Sequence, residues 1–155
     1  MLFRSFARVR RTRPARLLLL GDGPDRPALE ALVAELSLGD DVAMPGFVAN
    51  PYPYMTRARV FVLSSAWEGL PGVLIEALYC GARLVATDCP TGPREILDGG
   101  RYGRLVPVGD ELALAEGIED ALAGRLTPAP PESWRPFEIE SVVDRYLHLL
   151  LGRAT

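Results

Sequence analysis

The stretch ARVFVLSSAWEGLPGVLIEALYCG, residues 58–81, decides how this chain is read. Its first part, ARVFVLSS, is an apolar run without alternation, closed by serines. Strands covered on both faces of a parallel sheet have this composition. A Gly-Leu-Pro-Gly turn follows, in which Pro71 is expected to begin an apolar helical run that Gly81 stops. Strand, glycine-rich loop and helix form the repeating unit of a parallel α/β sheet. Two carboxylates mark this unit: Glu68 before the helix and Glu76 within it, with seven residues between them.

The same unit recurs on both sides. Leu2, Phe3, Phe6 and Val9 recur at helical spacing, and Pro14 ends that helix. ARLLLLGDGP reads as a buried parallel strand ending in a glycine turn. RPALEALVAELSL is a helix with Pro27 in its first turn and a stripe of Leu29, Leu32, Val33 and Leu36. DDVAMPGFV is a short strand, NPYPYMTRA a helical turn, and ARLVATD a third apolar strand. GPREILDGG is a short helix, YGRLVPVGD an edge strand and DELALAEGIEDALAG a helix. RLTPAPPESWRPFEIE is a proline-rich loop, and SVVDRYLHLLL closes the chain as an amphipathic helix. The alternation predicts an α/β fold: a Rossmann-like parallel sheet with helices on both faces, in one domain over residues 1–155.

Bulk properties exclude several classes. The chain has 155 residues and a net charge of −3, so no nucleic-acid partner is expected. All 17 basic residues are Arg. Cys80 and Cys89 match no zinc or disulfide spacing, and a single His, His148, argues against a Ser-His-Asp triad or a histidine metal site. The run LLLL, residues 17–20, is far shorter than the ~20 residues that span a bilayer. The first sixteen residues lack the apolar stretch of a signal peptide. A cytoplasmic protein is expected. The Arg-rich first helix has two readings: a face for an anionic membrane or an acidic partner, or the solvated face of a packed helix. The second is preferred.

In parallel sheets ligands bind beyond the carboxyl ends of the strands. The loops there are GDGP, PGFVANP, SSAWEGLPG, TDCPTGPRE and VGD. GDGPDR is not a dinucleotide fingerprint, because Arg26 stands where the third glycine belongs. This weighs against an oxidoreductase, and the absence of Lys weighs against a receiver-type switch. Taken singly, Glu76 reads as a solvated helical residue and Glu68 as a loop charge favoured by the helix dipole. Together they suit two hydroxyl-bearing ends of one extended ligand, because ionised carboxylates accept hydrogen bonds from paired hydroxyls. Between them the N–H groups of Gly69, Leu70, Gly72 and Val73 form an anion site at a helix start. That order matches sugar, diphosphate and ribose.

At these residues the chain resembles glycosyltransferase family 4, in its C-terminal, donor-binding half of a GT-B fold. The family signature, Glu-seven residues-Glu, is matched by Glu68 and Glu76 within EGLPGVLIEALYCG. The segments 15–38, 40–69 and 82–118 resemble further units of that half in the same order. The resemblance implies a retaining transferase whose donor is a nucleoside-diphosphate sugar, with no cofactor and no metal. It implies that Glu68 contacts the transferred sugar as the catalytic residue, with Gly69, Leu70 and Pro71 against that sugar. It implies that Glu76 holds the ribose, that Phe47 and Val48 border the base, and that Gly21 and Gly23 shape the donor turn beside Gly72 and Val73. The family's acceptor domain, and the loop that carries its diphosphate-binding Arg and Lys, have no counterpart in these 155 residues. An acceptor-binding domain or subunit is therefore an expected partner, with peripheral contact at the inner membrane face as a further expectation. The chain is then part of a longer enzyme, a subunit completed by a second polypeptide, or a degenerate product with little turnover alone. The alternative is a non-catalytic module that binds a nucleotide-sugar and regulates or completes a partner.

Overall fold

The computed structural model describes residues 1–152. Five strands alternate with helices: α1 Leu2–Thr12, β1 Leu17–Leu20, α2 Arg26–Glu35, β2 Val42–Gly46, α3 Tyr52–Met55, β3 Phe61–Leu63, α4 Gly72–Tyr79, β4 Leu84–Thr87, α5 Pro93–Ile96, β5 Arg104–Val106, α6 Glu111–Leu122 and α7 Ile139–Leu151. All observed strand pairings are parallel. The strands fall into two groups, β1-β2 and β3-β4-β5. In the first, Leu17 lies opposite Val42 and Leu20 opposite Gly46, with a register irregularity between them.

Both faces carry helices. On one face α1 and α2 cover β1 and β2: Phe3, Phe6 and Val33 pack with Leu17, Leu19, Val42 and Met44. On the same face α1 and α6 cover the larger group, where Val9, Leu114 and Ile118 meet Val85 and Val106. On the opposite face Leu74, Ala77 and Leu78 of α4 and Ile96 of α5 meet Leu63, Leu84 and Ala86. β4 is buried along its whole length, because it has a strand on each edge and helices on each face. Full burial of a leucine-sized side chain contributes about 1.5–3 kcal/mol, so Leu74, Leu84 and Leu114 carry much of this core.

The first helix is held by packing and by ion pairs within the fold. Arg4 pairs with Glu35 and Glu111, Arg10 with Asp41, and Arg13 with Glu119. Arg4, Arg10 and Arg13 are thus engaged within the fold, while Arg8 and Arg11 are exposed. Its N-terminus lies beside that of α6, since the buried Ser5 hydroxyl donates to the Glu111 carbonyl at 2.9 Å.

Two expectations need correction. The LLLL strand was expected to be covered on both faces, but Leu18 keeps 41% of its surface exposed. Among the described residues β1 and β2 have helices on one face only. Pro71 does not begin α4; it is its N-cap, with an extended ψ of 96°, and Gly72 is the first helical residue. The last helix adds nothing to the core, because α7 has no buried residue and exposes Ile139, Val143, Leu147 and Leu150. Trp134, just before it, does pack inward, edge-on to Tyr79 with 5.1 Å between ring centroids.

The one side-chain N-cap among the α-helices described is Asp110, whose Oδ1 accepts from the N–H groups of Leu112 and Ala113 at 3.1 and 2.9 Å. Asp110→Ala should lower stability by about 1 kcal/mol, read from the midpoint of chemical denaturation. An unchanged midpoint would show that water replaces the cap without cost.

Candidate functional site

The site is built on the loops beyond β3 and β4. The carboxylate of Glu68 is not free to wander: the Ser65 hydroxyl donates to its Oε1 at 2.6 Å. Ser65 is fixed in turn, because its carbonyl accepts from the Thr87 hydroxyl at 2.6 Å and from the Cys89 thiol at 3.2 Å. The Glu68 carbonyl accepts from the Thr91 hydroxyl at 2.5 Å. The loop that carries Glu68 is therefore tied at three points to the end of β4 and its own loop.

Gly92 closes this contact. Its φ of +91° is a backbone conformation that glycine adopts without penalty. A Cβ there would lie 2.3 Å from the Gly69 carbonyl oxygen and 2.5 Å from Pro71 Cδ. This close approach seats Pro71, which is buried, at the base of α4. The Pro71 carbonyl takes the N–H of Leu74 at 2.9 Å, and no side chain caps the helix. The N–H groups of Gly72 and Val73 have no acceptor among the described residues, and both residues are exposed. The start of α4 thus presents unpaired donors and the positive end of a helix dipole.

Glu76 lies one turn further along α4, half-buried. It faces α3: its charge, with burial adding, raises the Tyr52 phenol above its ordinary range. Burial, with Glu76 as the lesser cause, raises the Cys80 thiol. Cys89, the other free cysteine, is buried. Arg94 of the GPREI turn is occupied by Asp88, to which it donates from Nε at 3.1 Å and also from Nη2.

The second pair of loops lies beyond β1 and β2. Gly21, at φ +108°, donates its N–H to the Gly46 carbonyl at 2.8 Å. The Gly23 N–H is taken by Asp22 Oδ1 at 2.9 Å. Arg26 donates to the Met44 carbonyl at 2.7 Å and to Glu30 at 2.8 Å. Gly21, Asp22 and Arg26 line a cavity of about 240 Å³. Phe47 stands out at 81% exposure, with Val48 half-buried after it. A larger cavity, of about 350 Å³, lies beside Arg59, Arg83 and Gly124 at the amino edge of the sheet, away from these loops.

The structure brings Glu68, Gly69, Leu70, Pro71, Gly72, Val73 and Glu76 together on one loop and helix. It sets Gly21, Gly23, Phe47 and Val48 on the neighbouring pair of strands. Trp67, 80% exposed, and Leu70, 55% exposed, flank Glu68 as apolar surface. Tyr102 packs against the core. The residues not foreseen are Ser65, Thr87, Thr91 and Gly92, which position the loop. Only Gly92 left a trace in the sequence, as the glycine of Thr91-Gly92-Pro93. No group of three or more His, Cys, Asp or Glu among the described residues could hold a metal ion. No helix among them is long and apolar enough to cross a membrane.

A family model described as glycosyl transferases group 1 matches residues 1–124. A curated relative, N-acetylgalactosamine-N,N'-diacetylbacillosaminyl-diphospho-undecaprenol 4-alpha-N-acetylgalactosaminyltransferase of Campylobacter jejuni, is 37% identical over 122 residues, covering 79% of this chain and 33% of that protein. The solved structure of the lipopolysaccharide outer core galactosyltransferase WaaB in its apo form superposes with a TM-score of 0.84 at 22% identity, over 99% of this chain and 44% of that one. Anabaena HepE in complex with UDP and glucose gives 0.79 at 21% identity, over 99% and 45%. The present chain thus spans less than half the length of each of these proteins. The α/β layer expected from the sequence is the kind that makes up part of a GT-B fold.

Gly92→Ala should strain the junction between the two loops and lower stability by about 1–3 kcal/mol, seen as a lower melting temperature. Glu76→Gln should bring the Tyr52 phenol back toward its ordinary range, because the charge that raises it is gone. An NMR titration of the Tyr52 ring that did not move would place Glu76 away from α3.

Proposed function

The chain belongs to the group 1 glycosyl transferases, and we propose that it is the donor half of a retaining transferase of family 4. In this reading a nucleoside-diphosphate sugar lies along the start of α4. The observation that carries it is the uncapped first turn of α4, with unpaired Gly72 and Val73 N–H groups between two carboxylates. A diphosphate takes those donors, and the helix dipole adds favourable charge without a metal. Glu76 accepts from the ribose hydroxyls. Glu68, held in place by Ser65, accepts from hydroxyls of the transferred sugar. Gly69, Leu70 and Pro71 border that sugar, Phe47 and Val48 border the base, and Gly21 and Gly23 bring backbone close to the donor.

Chemically, the chain's part is to bind, orient and neutralise. A glycosyl transfer builds negative charge on the departing diphosphate, and fixed donors aimed at that charge stabilise it more in the transition state than in the ground state. The preset Glu68 adds orientation, since a carboxylate already locked by a hydroxyl loses little freedom on binding. Support for a nucleotide ligand comes also from HepE, described in complex with UDP and glucose. An acceptor-binding domain or subunit is proposed as the partner that completes the reaction.

Calorimetric titration of the chain with UDP, GDP and ADP, then with their sugars, tests the reading directly. Glu76→Gln should weaken binding of the preferred nucleotide by roughly 1.5–3 kcal/mol, the range for a hydrogen bond to a charged group. Glu68→Gln should weaken the nucleotide-sugar more than the bare nucleotide. Equal losses for both ligands with either variant would remove the two-ended assignment, and no binding of any nucleotide would remove the donor site.

A further inference from the structure

We infer that the cavity at the amino edge of the sheet binds a phosphate ester that carries free hydroxyls, held by Arg59 and Arg83. The cavity has a volume of about 350 Å³ and is lined by those two arginines and by Ala121, Leu122, Ala123 and Gly124 at the end of α6. Small-ligand pockets usually measure about 300–1,000 Å³. Its walls are the segments that lead into β3 and β4 and the end of α6, all in the half of the sheet with helices on both faces. It lies on the edge opposite the Glu68 loop, and the inference does not depend on the donor site.

Local structure puts both guanidinium groups there. Phe61 donates to the Arg83 carbonyl at 2.8 Å, so β3 and β4 enter their parallel pairing side by side. Side chains two apart on a strand share a face, and Arg83 stands two before Val85, which packs under α6. Its Nε donates to the Leu126 carbonyl at 2.9 Å, just past the cavity. That bond fixes the guanidinium and leaves its two Nη groups without an acceptor among the described residues. Arg59, two residues before β3, is exposed and has no acceptor among them. The neighbouring carboxylates are already taken: Glu119 by Arg13, and Asp120 by Arg104 and Arg125. Gly124, with φ of +75°, follows the end of α6, and a Cβ there would meet nothing within 4 Å.

The chemistry of the ligand follows. Two uncompensated guanidinium forks on one cavity suit a phosphate, whose free oxygens serve both, better than a carboxylate, which one fork fills. The end of α6 adds a second requirement. The carbonyls of Leu122 and Ala123 accept no hydrogen bond among the described residues, and neither arginine donates to them. They carry the negative end of the helix dipole, which opposes a bare anion. Had the two arginines served only to offset that dipole, they would donate to these carbonyls, as Arg83 does to that of Leu126. A ligand that brings hydroxyl donors along with its phosphate satisfies both walls. Glycerol and sugar phosphates have this chemistry, and so does the headgroup of phosphatidylglycerol.

NMR titration of the 155-residue chain with glycerol 3-phosphate and with inorganic phosphate tests it, read at the Ala123 and Gly124 amides and the Arg59 and Arg83 Nε–H signals. The Gly72 amide, read in the same spectra, reports the proposed donor site separately. The expected result is saturable shifts at the cavity signals, with glycerol 3-phosphate bound at least about threefold more tightly than inorganic phosphate. Arg59→Ala should weaken its binding about tenfold at an unchanged melting temperature. Ala123→Glu, which sets a carboxylate at an exposed position of the cavity, should remove it. Arg8→Ala, exposed on α1 and outside the cavity, should change nothing. Cosedimentation with phosphatidylcholine vesicles that contain about one-third phosphatidylglycerol separates the two sources of the ligand. Vesicle binding that needs phosphatidylglycerol and is lost in Ala123→Glu assigns the site to a lipid headgroup. Shifts without vesicle binding assign it to a soluble phosphate ester. The inference is overturned by no saturation up to about 20 mM glycerol 3-phosphate, by an affinity that Arg59→Ala leaves unchanged, or by equal affinity for the two anions.

Discussion

The buried hydroxyl of Thr87 joins the central strand to the loop on which the site depends. It sits at the end of β4, fully enclosed, and donates to the Ser65 carbonyl, with the Leu63 carbonyl at 3.3 Å as a second acceptor. A buried hydroxyl without an acceptor would cost about 1–3 kcal/mol, so the Ser65 loop is drawn to it. From there the arrangement propagates: Ser65 holds Glu68, Thr91 holds the Glu68 carbonyl, and Gly92 allows the closest approach of the two loops. The orientation of the proposed sugar-binding carboxylate is thus a consequence of where β4 ends.

The charged side chains play a different part. Most of the arginines described have acidic or carbonyl partners on the surface, and exposed pairs of this kind contribute about 0–1 kcal/mol each. α1 is seated by Phe3, Phe6 and Val9, and its ion pairs select the orientation in which those residues face inward. The paired state of Arg94 also matters for the site. With Asp88 holding it, the first turn of α4 is left with backbone donors as its electropositive element.

The two halves of the sheet differ in completeness. The group β3-β4-β5 has helices on both faces and a fully buried middle strand. The group β1-β2 has helices on one face, an exposed Leu18 and a loop carrying an exposed Phe47. The ordered part of the site, from Ser65 to Glu76, stands on the complete half. The outward-facing residues Phe47, Trp67 and Leu70 add exposed apolar surface beside these loops, which suits a cleft that a ligand or a further domain covers.

The sequence by itself determined the element order, the parallel α/β class and the pairing of Glu68 with Glu76 on one loop and helix. Apolar runs, helical periodicity and glycine stops are local signals, and they were legible at LLLL, ARLVATD and EGLPGVLIEALYCG. Tertiary structure alone decided that β1 is half-exposed, that Pro71 caps α4 instead of starting it, and that α7 leaves its apolar side uncovered. It alone decided that Ser65, Thr87 and Thr91 hold the Glu68 loop and that Tyr52 lies against Glu76. The physical reason is range. A residue's own neighbours set its backbone preference, while the partners that fix the Ser65 and Glu68 carbonyls lie far along the chain: Thr87 is 22 positions from Ser65, and Thr91 is 23 from Glu68.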